Sequence, residues 1–533
     1  MVPRSLKQVL KSPDRIEWLA ARDLELTAFA DQETYKWVEK PAGVQPIKTQ
    51  ILYDLKTDNF GNILKHKCRC ISKGYAQIYG ETYFEVFSPT SSPQGLRVVL
   101  AVACQRDWQI RQFDFSTAYL HAPLKETIYA YPPEGVEDPE GLGRIWLLLK
   151  SMYGLTQSAR NWNHYLEDLF SSLDLELIDE KNYIWANDDY MLGVHVDDIP
   201  LAYRNDAALD RFITHFKRHN VKLNDLGLIA QFLGIEVRYD RPLGLLKISQ
   251  SGYIDEILKR FKMQDCFPRA IPLDPGTKFS RADEPKCDPE EKSLFLEIVG
   301  VIGWIANWTA PGLAFTHSYL SRFLASPATT HLQAAKNVLR YIKFIRDKGP
   351  IYRRANFPFN MQPNELRSWA DSDFAMDCDR YRSTSGHLIL LNGAAIYWKS
   401  QLQSIAATST TEAEYISLSD DASMVVGLRM LLLGLSAPQT GPTVIYQDNT
   451  ATIAASKNPI HRSRLRHINV RVYRIREFVK AQEVLPVVCT TTAMHADMFT
   501  KALPAPLLQR HTEVAYGELG SEMLFPPLPA GSA

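Results

Sequence analysis

The stretch LGVHVDDIPL, residues 192–201, sets Asp197 and Asp198 side by side between two apolar runs. Burying adjacent carboxylates in such a segment is costly. MLGVHV before the pair and IPLAYR after it read as two antiparallel strands joined at the aspartates. Ordinary turn chemistry accounts for two acids there. A metal site accounts for them too, and the rest of the chain decides. Pro200 falls where the return strand should continue. Proline donates no backbone hydrogen bond, so one ladder bond is expected to be lost unless that position faces outward.

Upstream, WQIRQFDFSTAYL reads as a strand ending near Asp114. If that strand neighbours the hairpin, three carboxylates meet at one sheet end. Such anions repel and raise one another's pKa unless a cation neutralises them. Mg²⁺ takes hard oxygen ligands and leaves room for substrate phosphates. Two such ions clamp the attacking and leaving oxygens of a phosphoryl transfer.

Other elements fall around this centre. Residues 51–75 suggest a hairpin about Asp58, Asn59 and Gly61, and SPQGLRVVLAVACQRD a helix. SARNWNHYLEDLFSSL is an amphipathic helix. QSGYIDEILKRFKM is a helix whose start Ser251 is expected to cap, and residues 264–292 read as a linker. In the second half, HLILLNGAAIYW is a hairpin with Asn392-Gly393 as its two-residue turn. Asp371 closes the strand RSWAD, with Asp373 on the same face. Glu414 lies early in a helix that Ser409 and Glu412 are expected to start as a capping box. Asp448 ends VIYQD, and Asp497 sits in an expected terminal helix, HADMFTKAL.

FDFSTAYL, SMYGLTQSARNW, HVDD and NDLGLIAQFLGIEV, in that order, resemble the reverse transcriptase of copia-type LTR retrotransposons. STTEAEYISL, YQDNTATI and HADMFTKAL resemble the ribonuclease H of the same family. The likeness runs from about residue 12 to residue 505. It implies an α+β fold: a right-hand polymerase (fingers, palm, thumb) with a helical connection, then an α/β ribonuclease H-like domain. Expected spans are an N-terminal extension (1–50), fingers and palm (51–262), thumb and connection (263–365), the nuclease-like domain (366–505) and a loose tail (506–533).

The resemblance further implies RNA-directed DNA synthesis and cutting of RNA in RNA–DNA hybrids. Asp114, Asp197 and Asp198 are then metal ligands of the polymerase, and Asp371, Glu414, Asp448 and Asp497 those of the nuclease, with two Mg²⁺ (or Mn²⁺) per site. Arg69 and Lys73 of KCRCISKGY are expected to hold the triphosphate and Gln157 to contact substrate. Tyr119, five residues after Asp114, is expected to exclude a 2′-hydroxyl. The partners are RNA template, DNA primer, RNA–DNA hybrid and dNTPs, with integrase or capsid proteins encoded elsewhere in the element.

The chain departs from the family's Tyr-Val-Asp-Asp at His195, and from its pattern at Thr156, Ala159, Pro200, Ala310 and Gly312. The alternative is therefore a catalytically impaired relic or a co-opted nucleic-acid-binding protein. The start of the chain lies near the start of the likeness, so it is expected to be a processed-like fragment or a piece of a decayed element.

Composition excludes little. Sixty Lys and Arg balance sixty Asp and Glu, so net charge points to no nucleic-acid partner. Clustering does: HRSRLRHINVRVYRIREFVK carries six arginines and a lysine against one glutamate. Its apolar residues pack one face while Arg464, Arg466, His467 and Arg471 are expected to track a phosphate backbone. The seven cysteines form no CxxC pair and read as free thiols of a reducing compartment. The most apolar run, MVVGLRMLLLGLSA, is interrupted by Arg429, so no membrane association is expected. A cytoplasmic location follows, or a nuclear one, or one in virus-like particles.

Overall fold

In the computed structural model, residues 2–57, 62–355, 362–457 and 468–518 are described. At the centre of the first half lies a six-stranded antiparallel sheet. Its order is Leu223–Leu228, Gln109–Phe115, Asp198–Tyr203, Tyr190–Gly193, Ile184–Ala186 and Glu176–Asp179. Gln109–Phe115 buries Ile110 on one face and Phe113 and Phe115 on the other. The helices Ser158–Ser171 and Asp206–Arg218 cover the second face, bringing Trp162, Leu166, Phe212 and Phe216 against those phenylalanines.

The helix Pro93–Gln105 covers the first face. Ser92 starts it, its Oγ accepting from the Gly95 N–H at 3.0 Å with Pro93 in the first turn. The expected cap at Ser251 is not formed. Gln250 occupies the cap position of Ser251–Arg260 and makes no side-chain cap bond. Ser251 itself is already helical, where its hydroxyl is too far along the chain to reach the free N–H groups.

Ahead of the sheet, Thr49–Thr57 and Ile63–Ser72 pair antiparallel. The expected turn residues Asp58, Asn59 and Gly61 lie outside the described residues. The helix Arg15–Asp31 packs on this hairpin through Trp18 and Phe29, which share a core with Ile51, Tyr53, Cys68 and Cys70.

After residue 263 the chain is irregular up to Asp288, which caps Pro289–Trp308 in a reciprocal box with Glu291. The helices Pro289–Trp308, Ala314–Leu320 and Thr329–Phe344 follow. Gly312 sits in the turn between the first two, where an added Cβ would come 2.7 Å from the Thr512 side chain and 2.9 Å from Tyr341 Oη. The departure at this position is thus packed around.

The C-terminal sheet has the order Ala394–Leu402, Thr384–Leu391, Leu366–Ser372, Thr443–Gln447, Val484–Val488. The first three strands are antiparallel, and the last two run parallel to Leu366–Ser372. Asn392 and Gly393 both have positive φ, +50° and +87°, as a two-residue hairpin turn of the primed kind requires. Two expectations fail nearby. Asp497 lies in a short 3₁₀ turn, His495–Phe499, and the last helix among the described residues is Ala505–Tyr516. The first part of the expected tail is therefore ordered, because Leu508, Val514, Ala515 and Tyr516 are buried.

The two halves share a core. Leu96 and Val99 of the first half and Ile389, Ile396 and Leu432 of the second belong to one buried cluster. Arg97 is buried between them. Its guanidinium donates to the carbonyls of Ile396, Asn307 and Trp308 and lies 4.0 Å over the Trp398 ring. Asn392 Nδ2 donates to Ala101 O at 2.9 Å. Among the described residues no helix is long and apolar enough to cross a membrane.

Candidate active sites

The first acid set sits where the central sheet turns. Asp114 and Asp198 are direct partners across Gln109–Phe115 and Asp198–Tyr203. Asp197 lies on the turn, its carbonyl accepting from Phe115 N at 2.9 Å. His195 and Asp198 exchange both backbone bonds, at 3.0 and 3.1 Å, so Val196 and Asp197 are the central turn residues. The ladder then breaks. It runs Tyr203↔Tyr190, Ala202↔Met191, Leu201↔Leu192 and resumes only at the His195↔Asp198 bridge. The same register sets Pro200 opposite Gly193. Because Asp198 aims its N–H at this neighbour and bonding alternates along a strand, Pro200 aims its nitrogen there too. The proline therefore faces a paired strand and removes one bond.

Burial pushes the Asp197 carboxyl up from its ordinary range, with Asp114 adding to it. Burial, with Asp197 and Asp114, pushes Asp198 up to about 6. Asn224 Nδ2 donates to Asp114 at 3.0 Å. Facing the acids is the strand Ile63–Ser72, whose alternation puts Lys65, Lys67 and Arg69 on one side. These three line one cleft with Asp114, Asp197 and Asn224. Burial lowers the Lys67 ammonium while Asp114 and Asp197 hold it up.

Of the expected substrate contacts, Arg69 lines this cleft, and Tyr119 lies behind it against the lining residue Tyr153. Tyr119 packs edge-on to Tyr153 at 4.9 Å, and Arg69 lies over Tyr153 at 5.6 Å. Lys73 and Gln157 do not line the cleft. Lys73 follows the end of the strand, where the chain enters the turn Gly74–Ala76 and the alternation is lost. Gln157 is buried, and its amide bonds Gln77, Thr82 O and Glu126. Sequence reasoning missed Lys67 and Tyr153. The every-second-residue spacing of Lys65, Lys67 and Arg69 is the signal that finds Lys67.

The second acid set is tighter. Ligand oxygens of Asp371, Glu414 and Asp448 all lie within 4.8 Å of one another, the one such trio among the described residues. Asp371 comes from the central strand, Glu414 from the first turns of Thr410–Gly434, and Asp448 from just past Thr443–Gln447. Ser409 caps that helix, but Glu412 bonds Thr408 and not the cap residue, so the expected box is half formed. Asp497 joins from its 3₁₀ turn: Lys501 Nζ bonds its carboxylate at 2.8 Å, and Thr500 Oγ1 donates to Asp371 at 2.7 Å. Gln447 Nε2 donates to Glu414 at 3.2 Å.

Burial, with neighbouring carboxylates, raises the pKa of Asp371, of Glu414 and of Asp448. Hard oxygen donors that cannot all ionise unaided fit a divalent cation. Asp373 is also raised, to about 6, by burial, and is bonded to the Thr384 N–H at 2.7 Å. Lys501, four residues after Asp497, is a further group that sequence reasoning missed.

In the basic run, Arg464, Arg466 and His467 lie outside the described residues. Arg471 is bonded to Asp420 and to Ile416 O.

Residues 32–275 match a family described as reverse transcriptase (RNA-dependent DNA polymerase). The chain is 31% identical over 517 residues to a "Retrovirus-related Pol polyprotein from transposon TNT 1-94" of Nicotiana tabacum, covering 94% of this chain and 38% of that protein. It is 32% identical to the corresponding polyprotein from transposon RE1 of Arabidopsis thaliana, covering 95% of this chain and 34% of that one. The chain thus spans little more than a third of the curated relatives it matches. A foamy viral protease-reverse transcriptase solved in complex with dsDNA shares the fold, with a TM-score of 0.50 at 11% identity over 89% of this chain and 83% of that one.

Proposed function

The chain is a relative of the Pol polyproteins of copia-type retrotransposons, carrying a reverse transcriptase domain followed by a ribonuclease H-like fold, and from this we propose the chemistry of its two acid sets. The first set makes DNA on an RNA template. The second cuts the RNA strand of RNA–DNA hybrids.

The observation that carries the polymerase reading is the pairing of Asp114 with Asp198 beside Asp197, across one cleft from Lys67 and Arg69. In this reading Asp114, Asp197 and Asp198 hold two Mg²⁺ and Lys67 and Arg69 receive the triphosphate. Tyr119, backed by Tyr153, excludes a 2′-hydroxyl. The bound cations would lower the pKa of the primer hydroxyl and neutralise charge on the leaving pyrophosphate. Asp371, Glu414, Asp448 and Asp497 form the corresponding set of the nuclease.

The test is dNTP incorporation on a primed RNA template by the full chain in Mg²⁺. Asp197→Asn should abolish it, because a ligand charge is lost. Equal incorporation by both proteins would trace the activity to a contaminant and defeat the reading.

A further inference from the structure

The turn that carries Asp197 is built around a residue ill suited to it. A two-residue hairpin turn of the primed types needs positive φ at its first central position, which glycine and asparagine supply most easily. That position is Val196, at φ +60°. A β-branched side chain is rare in this region, and such a conformation persists only where the surroundings over-determine it.

One side chain does this. Trp162, in the helix Ser158–Ser171, donates its indole N–H to Val196 O at 2.7 Å. The indole is completely buried and packs edge-on against Phe115 at 5.0 Å. Phe115 follows Asp114 in its strand and donates its backbone N–H to Asp197 O. Trp162 thus braces the Asp114 strand and the Asp197 turn together. The carbonyl it holds belongs to the same peptide plane as the Asp197 N–H. Rotation of this plane would turn the Asp197 backbone and change the direction in which its carboxylate enters the cleft it lines.

We infer that Trp162 is a positioning residue of the polymerase site: its indole N–H fixes the peptide between Val196 and Asp197 and so sets the aim of Asp197. This rests on the reading of Asp114, Asp197 and Asp198 as a cation site.

The experiment uses the full chain with Glu414→Gln, which removes cation binding at the second set, and titrates Mn²⁺ by electron paramagnetic resonance. Trp162 is replaced by 3-benzothienylalanine, which keeps the ring shape and exchanges the N–H for sulfur, and separately by Phe. Mn²⁺ affinity should fall about tenfold, with kcat reduced and the KM for dNTP nearly unchanged. Adding Val196→Gly should recover most of the loss, because glycine takes the positive φ without a brace. Unchanged Mn²⁺ affinity in the benzothienyl protein, or failure of Val196→Gly to rescue either variant, would overturn the inference and leave Trp162 a packing residue. An Asp197→Asn control separates the premises. If that variant binds Mn²⁺ as well as its parent, the acid set is not a cation site and both readings fall.

Discussion

Pro200 stands opposite Gly193 with its ring nitrogen turned toward the strand that carries Gly193. The missing bond is therefore internal to the sheet, two residues from Asp198. Ser91 fastens the neighbouring position from the other edge, its N–H donating to Val194 O at 2.8 Å and its Oγ accepting from Val194 N at 2.6 Å. Pro200→Leu restores a donor worth about 0.5–1.5 kcal/mol net. The leucine side chain enters an apolar pocket that Pro200 shares with Leu96, Leu100, Phe232 and Trp308. The substitution should raise the melting temperature and increase the rate of dNTP incorporation. A variant no more stable and no faster than wild type would show that Ser91 already compensates.

The raised carboxyl groups give stability a defined dependence on pH. An acid whose folded pKa exceeds its unfolded value binds more protons when folded, so it loses stability as pH rises from the unfolded to the folded pKa. For Asp198 that window runs from the ordinary 3.8 to about 6. Without divalent cations, wild type should lose stability across it relative to Asp198→Asn, which cannot ionise there. Mg²⁺ should recover the loss above pH 6. The check is a set of melting curves at several pH values with EDTA and with Mg²⁺. A difference between the two proteins that does not change with pH would refute it.

Residues from about 360 onward will not work as a free-standing nuclease. Cutting them out removes the helix Pro93–Gln105, which packs on the strand Ala394–Leu402, and uncovers Ile396 and Trp398. Each large apolar side chain so exposed forfeits about 1.5–3 kcal/mol, a large part of the net stability of a domain. The fragment should aggregate or melt far below the full chain, while Asp448→Asn in the full chain should stop hybrid cleavage and leave hybrid binding largely intact. A monomeric fragment with full cleavage activity would contradict this.

In the basic run, Arg471 already has an acidic partner in Asp420. Arg471→Ala should leave the salt dependence of hybrid binding unchanged. Arg464→Ala with Arg466→Ala should reduce the slope of log affinity against log salt by about 0.9 for each phosphate that the variant no longer neutralises. The reverse ranking would place Arg471 on the nucleic acid.

Much of the site is legible in the sequence because chemistry sits at strand ends. Asp114, Asp198, Asp371 and Asp448 each close or open a short apolar strand, and alternation locates them. Asn392-Gly393 announces its turn through backbone conformation alone. What stays hidden depends on partners distant in sequence. Lys73 and Arg69 look equivalent in KCRCISKGY until the strand is seen to stop at Ser72. Gln157 reads as a substrate contact until Gln77, Thr82 and Glu126 take up its amide. The ordering of Ala505–Tyr516 depends on long-range packing, including Thr512 against Gly312, 200 residues earlier.

The setting of Arg97 has a consequence for how the chain is made. Ile396 and Trp398, two of its partners, leave the ribosome some three hundred residues after it does. Until then two of the groups that hold the guanidinium are missing, and the apolar flank of its helix faces water or a chaperone. The first half therefore cannot reach its final packing during its own synthesis. A nascent chain that stops or is cleaved anywhere before Trp398 presents an unfinished surface, the kind that aggregates or is degraded.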